Sequence, residues 1–121
     1  MLALLSKGRK KKLAKYGNTK VKNEAGTFDS KAEYARWQDL QLLEKAGKIH
    51  ELNRQVRYPL HACSVQDGEA VKVGDYVADF VYTDDEGLVV EDVKGHRTQL
   101  YAWKARHFKA EYGFAITEVK A

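Results

Sequence analysis

Tyr76-Val77-Ala78-Asp79-Phe80-Val81-Tyr82-Thr83, then Asp84-Asp85-Glu86-Gly87, then Leu88-Val89-Val90-Glu91-Asp92-Val93-Lys94: this continuous stretch decides the fold. Two runs rich in β-branched and aromatic residues flank a short polar segment that ends in Gly. The pattern reads as two antiparallel strands joined by a tight turn. Residues equidistant from such a turn face each other. Asp79, five residues before Asp84, is therefore expected opposite Asp92, five residues after Gly87. Side chains alternate along a strand, so Val90, Asp92 and Lys94 share one face while Val89, Glu91 and Val93 share the other.

Working outward, Asp67-Gly68 signals a second hairpin. The strand that follows begins at Ala70 or Val73 and runs to Thr83, with Gly74 as a bulge or bend. Upstream, residues 49–60 form a less regular extended segment, and Pro59 marks it as an edge strand. Together these segments predict a three-stranded antiparallel meander with the Val89-Val90 strand central. Ser30-Lys31-Ala32-Glu33 has the spacing of a capping box and opens a helix that Gly47 closes. Tyr34, Trp37, Leu40, Leu43 and Ala46 are its expected buried stripe. Residues 23–28 before it read as a short loop.

Thr98 can cap a second helix ended by Tyr112-Gly113. Its inner stripe is either Leu100, Trp103, His107 and Ala110 or Tyr101, Ala105, Phe108 and Tyr112. Residues 114–119 read as a last strand, which after a crossover helix pairs most simply in parallel. The expected class is α/β: helix, three-stranded antiparallel meander, helix, strand, forming a mixed sheet flanked by helices.

A chain of 121 residues with 44% hydrophobic residues is one domain with a single core. The lone Cys63 can form neither an internal disulfide nor a cysteine zinc site. It reads as a small buried strand residue in a cytoplasmic protein. Residues 1–5 are apolar but far too short to span a bilayer, and the basic run follows rather than precedes them, so neither a membrane role nor export is implied. The net charge is +4, yet residues 1–22 carry eight Lys and Arg and no acid, leaving the rest at −4. Residues 1–22, with Lys10, Lys11 and Lys12, read as a flexible basic arm that neutralises phosphates, or as a solvated leader, ahead of a single domain over 23–121. The acid excess of that domain needs its own explanation.

Three carboxylates supply one. Glu33 lies on the first helix, where closing the capping box is the plain alternative. Asp79 is the one charge in an apolar strand, where Asp is disfavoured. Asp92 shares its face with Lys94, which on its own would make an ion pair. Two carboxylates directly opposite each other repel unless a cation lies between them. Oxygen donors without a His or Cys cluster suit Mg2+, with Mn2+ as a substitute, rather than zinc. Glu91 competes with Asp92 for the acidic position if a bulge turns it inward. The histidines at 50, 61, 96 and 107 form no ligand-spaced pair and read as structural or surface residues.

Glu33, then Asp79, then Asp92-Val93-Lys94 after a turn resembles the PD-(D/E)xK nuclease superfamily, in particular its small phage and archaeal Holliday-junction-resolvase-like members. Phe28-Asp29-Ser30-Lys31-Ala32-Glu33, and Asp92-Val93-Lys94-Gly95 followed by Thr98, Tyr101 and Lys104, carry the same resemblance across nearly the whole domain. Ala78 stands where the motif's Pro would precede Asp79. The resemblance implies a restriction-endonuclease-like core. It also implies that Asp79, Asp92 and the Val93 carbonyl hold the metal, that Glu33 completes the site directly or through water, and that Lys94 orients the attacking water or neutralises the developing charge. Thr98 and Lys104 become accessory phosphate contacts, with Lys31, His96 and Arg97 as further backbone contacts.

The function expected on this basis is a metal-dependent endodeoxyribonuclease selective for branched DNA such as four-way junctions. It would act in phage or bacterial DNA recombination or processing in the cytoplasm of a bacterial cell, and as a homodimer because two symmetric strands must be cut. The alternatives are a sequence-specific or nicking endonuclease of the same fold and a non-catalytic basic DNA-binding protein whose acids are structural.

Overall fold

The computed structural model describes residues 21–23, 26–28 and 30–121. Lys10, Lys11 and Lys12 lie outside the described residues. At the centre, strand β4 (Ala70–Asp84) turns into β5 (Gly87–Lys94), with Asp84 paired to Gly87, Val81 to Val90 and Phe80 to Glu91. This is the register that counting from the turn predicts. Gly87 has φ +124°, a conformation essentially closed to residues with a Cβ, and so a glycine ends the turn.

β3 (His50–Cys63) pairs antiparallel with β4 along its other edge. The register steps by one between the Leu60–Gly74 and His61–Lys72 pairs, so the strand bulges beside Gly74. The connecting turn is held by the Asp67 carboxylate, which accepts the Glu69 N–H at 3.0 Å. β6 (Thr117–Lys120) runs parallel to β5, and the four-stranded order is β3-β4-β5-β6. β3 is therefore an edge strand, which is why it accommodates Pro59.

Helix α1 (Lys31–Lys45) is capped by Ser30, whose hydroxyl accepts the Glu33 N–H at 3.1 Å. Helix α2 (Gln99–Tyr112) is capped by Thr98 and ends at Gly113 in the left-handed conformation. The two helices serve separate clusters. Tyr101 and Phe108 of α2 pack with Leu60, Tyr76, Ala78, Val81 and Val90. Leu40 of α1 packs with Ile49, Phe80 and Tyr82. The fold is thus α/β, a mixed sheet with a helix on each face, consistent with a restriction-endonuclease-like arrangement.

Four local readings change or resolve. A two-stranded antiparallel hairpin, β1 (Val21–Asn23) with β2 (Gly26–Phe28), takes up the end of the expected arm and the segment expected as a loop. Of the two stripes on α2, Tyr101, Ala105, Phe108 and Tyr112 face the core. On α1, burial is complete at Leu40 but Leu43 and Ala46 are exposed, because Ile49 after the helix, rather than its last turn, completes the cluster with Leu40. Cys63 is exposed rather than buried. It ends β3 where the long β3–β4 hairpin, with Val71 and Val73 also exposed, projects beyond both clusters. Among the described residues no helix is long and apolar enough to cross a membrane.

Phe108 is fully buried and Leu100 is half exposed on the same helix. Phe108→Ala is expected to lower unfolding free energy by about 3–5 kcal/mol. Leu100→Ala should stay within about 0.5 kcal/mol of the parent, both read from urea denaturation midpoints.

Candidate functional site

The hydrogen-bonded ladder between β4 and β5 ends at Phe80 and Glu91. One step further, Asp79 meets β5 with its side chain: its Oδ2 accepts the Val93 N–H at 2.9 Å. On the opposite edge of β4, Arg54 pairs with Phe80 and Val56 with Ala78, and the pair between them, Gln55 with Asp79, is skipped. Gln55 sits at φ +53°, which costs a residue with a Cβ roughly 1–2 kcal/mol. Alternation along β4 breaks at the same place, since Tyr76 and Ala78 join Val81 in the α2-side cluster while Phe80 and Tyr82 lie on the α1 side. Asp79 therefore occupies the point where the sheet changes which side chains it gives to which helix.

Asp92 is 2% exposed. The Tyr76 hydroxyl donates to its Oδ2 at 2.6 Å, and Lys94 Nζ lies 3.1 Å from its Oδ1. Lys94 is also held 4.1 Å over the Tyr101 ring, a cation–π contact that fixes the ammonium on this face. Asp79 is half-buried beside Asp92, near enough for the two carboxyls to act on each other. Burial, then the Asp92 charge, then that of Glu33 raise the Asp79 carboxyl well above the ordinary carboxylate range, to about 9. The Tyr76 hydroxyl is likewise pushed far up by burial and by Asp92.

Glu33 is nearly fully buried. Its backbone N–H serves the cap, but its carboxylate is turned to Gln55 Nε2 at 3.2 Å and Arg54 Nη2 at 3.6 Å. The left-handed turn at Gln55 thus delivers an amide donor to Glu33. Arg54 is itself stacked 3.8 Å over the Phe28 ring. So α1 brings a third acid near enough for its charge to act on Asp79, though not into one cluster with the pair.

Glu91 is fully buried and turned to the other face. Arg36 clamps it with Nε at 2.7 Å and Nη2 at 3.0 Å, and the Tyr82 hydroxyl donates at 2.6 Å. Burial and this carboxylate push the Tyr82 hydroxyl up to about 12. The geometry resolves the choice between neighbouring acids: Glu91 is a brace to α1, and Asp92 is the one that meets Asp79.

Of the remaining candidates, Val93 contributes its amide to Asp79. Thr98 spends its hydroxyl on the Tyr101 N–H at 3.0 Å. Arg97 pairs with Glu118 at 3.2 Å, Lys31 is exposed on the first turn of α1, Lys104 is half-buried on α2, and His96 is exposed. His61 and His107, far apart in sequence, meet at Glu111, at 2.7 Å and 3.2 Å from its two carboxylate oxygens.

The profile of the DUF1064 family, described as a protein of unknown function, matches residues 13–120. The chain belongs to this family. No curated protein matches it. The DUF1064 match spans every site residue above, from Lys31 to Glu118.

Sequence reasoning missed several groups of this DUF1064 chain that hold the acids: Gln55, Tyr76, Arg36 and the Tyr101 ring. Nothing in local spacing marks Gln55 or Arg36, because each acts across the fold. One signal was available. Residues 93–110 hold five Lys and Arg and no acid, a second basic stretch that lies within the folded domain and starts beside Asp92.

The folded protein holds the Asp79 proton to about 9, whereas the unfolded chain releases it near 3.8, so the folded state binds more protons between those values. Stability of the metal-free protein is therefore expected to fall as pH rises through that window. Thermal unfolding in chelator should show this fall, and Asp79→Asn should flatten it.

Proposed function

We propose that the chain is a Mg2+-dependent endodeoxyribonuclease of the PD-(D/E)xK superfamily that hydrolyses DNA phosphodiester bonds, with Mn2+ as a substitute ion. The observation that carries this reading is the half-buried Asp79 set beside the buried Asp92, with Lys94 on the Asp92 carboxylate. An Asp–Lys bridge alone does not account for a second carboxylate set against the first.

Among the described residues no three His, Cys, Asp or Glu side chains gather closely enough to enclose a metal ion. A pair of carboxylates suits Mg2+ all the same, because that ion is typically held by one or two carboxylates and completes its shell with water and phosphate oxygens. Asp79 and Asp92 would hold the ion, with the Val93 carbonyl as a further oxygen and Glu33 acting through water. When bound, the ion supplies a Lewis acid that lowers the pKa of water and stabilises charge on a phosphate oxygen.

The chain's own groups do the remainder. Asp79, whose carboxyl is held above the ordinary range, would have to be deprotonated to serve as a ligand. Tyr76 and Lys94 fix the rotamer of Asp92, and Lys94 presents its remaining N–H bonds toward an attacking water or a phosphate oxygen. Gln55 and Arg54 hold Glu33 in place as an acceptor for water. The basic stretch over residues 93–110, together with Lys31 and the basic arm, neutralises the DNA backbone.

The substrate in this reading is branched DNA of the four-way-junction kind. It is cut by a homodimer in the cytoplasm of a bacterial cell, in phage or bacterial DNA recombination or processing. A non-catalytic DNA-binding role has one observation in its favour, since both Asp92 oxygens already have partners in Tyr76 and Lys94. It leaves Asp79 unexplained.

Supercoiled plasmid and a synthetic four-way junction, each incubated with and without Mg2+, test the reading. Mg2+-dependent cutting is expected, faster on the junction. Lys94→Ala should slow it roughly 100-fold, and Asp92→Asn should abolish it. Cutting that survives Asp92→Asn would place the centre elsewhere.

A further inference from the structure

Helix α2 turns Tyr101, Ala105, Phe108 and Tyr112 into the core and leaves Leu100 and Trp103 on its outer face, 52% and 66% exposed. Tryptophan is on average among the well-buried side chains, so an indole presented to this degree calls for an occupant. Leu100 and Trp103, with Gln99, Ala102 and Arg106, line a shallow groove of about 400 Å3. Arg106 gives the lining a positive charge and Lys109 is exposed further along the same helix, whereas Lys94 and Arg97 are paired with Asp92 and Glu118. A two-fold contact of this face with itself would set like charges together, which disfavours a second copy as the occupant. A polyanion is favoured instead. A flat aromatic surface beside guanidinium and ammonium groups is the chemistry that stacks on an unpaired base while cations hold the flanking phosphates.

The groove is close to the acid pair. Lys94, which contacts Asp92, lies against the Tyr101 ring in the first turn of α2. The outer face is thus about one helix diameter, roughly 10 Å, from the centre. We propose that Trp103, supported by Leu100 and Arg106, is a stacking platform for an unpaired base of a DNA strand that passes the Asp79–Asp92 centre. It selects strands with unstacked bases over continuous duplex. The proposal rests on the nuclease reading for its biological use, but the binding it describes needs no metal.

The test uses the full chain in EDTA, with anisotropy titrations of a dye-labelled single-stranded oligodeoxynucleotide and of the fully paired duplex at matched salt. Trp103→Ala is expected to weaken single-strand binding by about fivefold or more while leaving duplex binding within about twofold. Trp103→Phe should keep most of the affinity. Trp103→Lys should lose the single-strand preference in spite of its added charge. Equal affinities across the Trp103 variants would overturn the proposal, as would an equal loss on both DNAs. So would a sedimentation shift from dimer to monomer in Trp103→Ala, which would make the face a protein interface. Because cutting is never measured, a failure here leaves the nuclease reading standing, and a failure of Mg2+-dependent cleavage leaves the platform standing.

Discussion

Two neighbouring carboxylates, the buried Asp92 and the half-buried Asp79, set the terms for the structure around them. Repulsion between like charges in a low-dielectric interior is severe unless a proton or a cation is shared. Here a proton is held on Asp79 well above its ordinary range. The backbone adapts to the same pair. The β4–β5 ladder stops just before it, and the Val93 amide turns to the Asp79 carboxylate. Gln55, across from Asp79 on β3, takes a left-handed conformation. Glu51 on the same strand is also left-handed, so backbone strain alone does not single out this point of the sheet; the coincidence of the Gln55 strain with two acids in mutual repulsion does.

The pair is held from both faces of the sheet. On the α1 side, the bidentate Arg36–Glu91 contact ties the helix to β5 one residue away from Asp92. Glu33, one turn earlier on the same helix, is thereby kept beside Asp79. Such a brace adds little net stability, because removing two charges from water offsets most of their attraction. Its consequence is geometric, since an unpaired Glu91 would be a buried charge and α1 cannot shift without creating one. On the α2 side, Tyr101 supports Lys94 with its ring and bonds Glu118 of β6 with its hydroxyl at 3.0 Å.

Most of this architecture is legible in the chain. The turn over residues 84–87 gives the register, the two capping residues give the helix starts, and Pro59 gives the edge. Counting alone brings Asp79 toward Asp92, although the ladder stops one pair before them and Asp79 bonds the Val93 amide. What was hidden is whatever depends on distant partners. Strict alternation cannot anticipate that β4 changes faces at Asp79. Nor can local spacing show that Glu33 turns away to Gln55 and Arg54, or that Arg36 takes Glu91 out of contention. Cys63 was misread because a strand pattern does not say how far a hairpin extends past the helices that cover it. The basic run over residues 93–110 was present in the sequence but masked by the larger one at the N-terminus.

The proposed chemistry requires that a divalent cation take the place of the proton between Asp79 and Asp92. Calorimetric titration of the full chain with Mn2+ near neutral pH, repeated in buffers of different ionisation enthalpy, measures both the ion and the proton. A cation site at this pair predicts saturable binding with release of about one proton per ion, and loss of both in Asp79→Asn. Absence of binding, or binding without proton release that Asp79→Asn leaves unchanged, would contradict it.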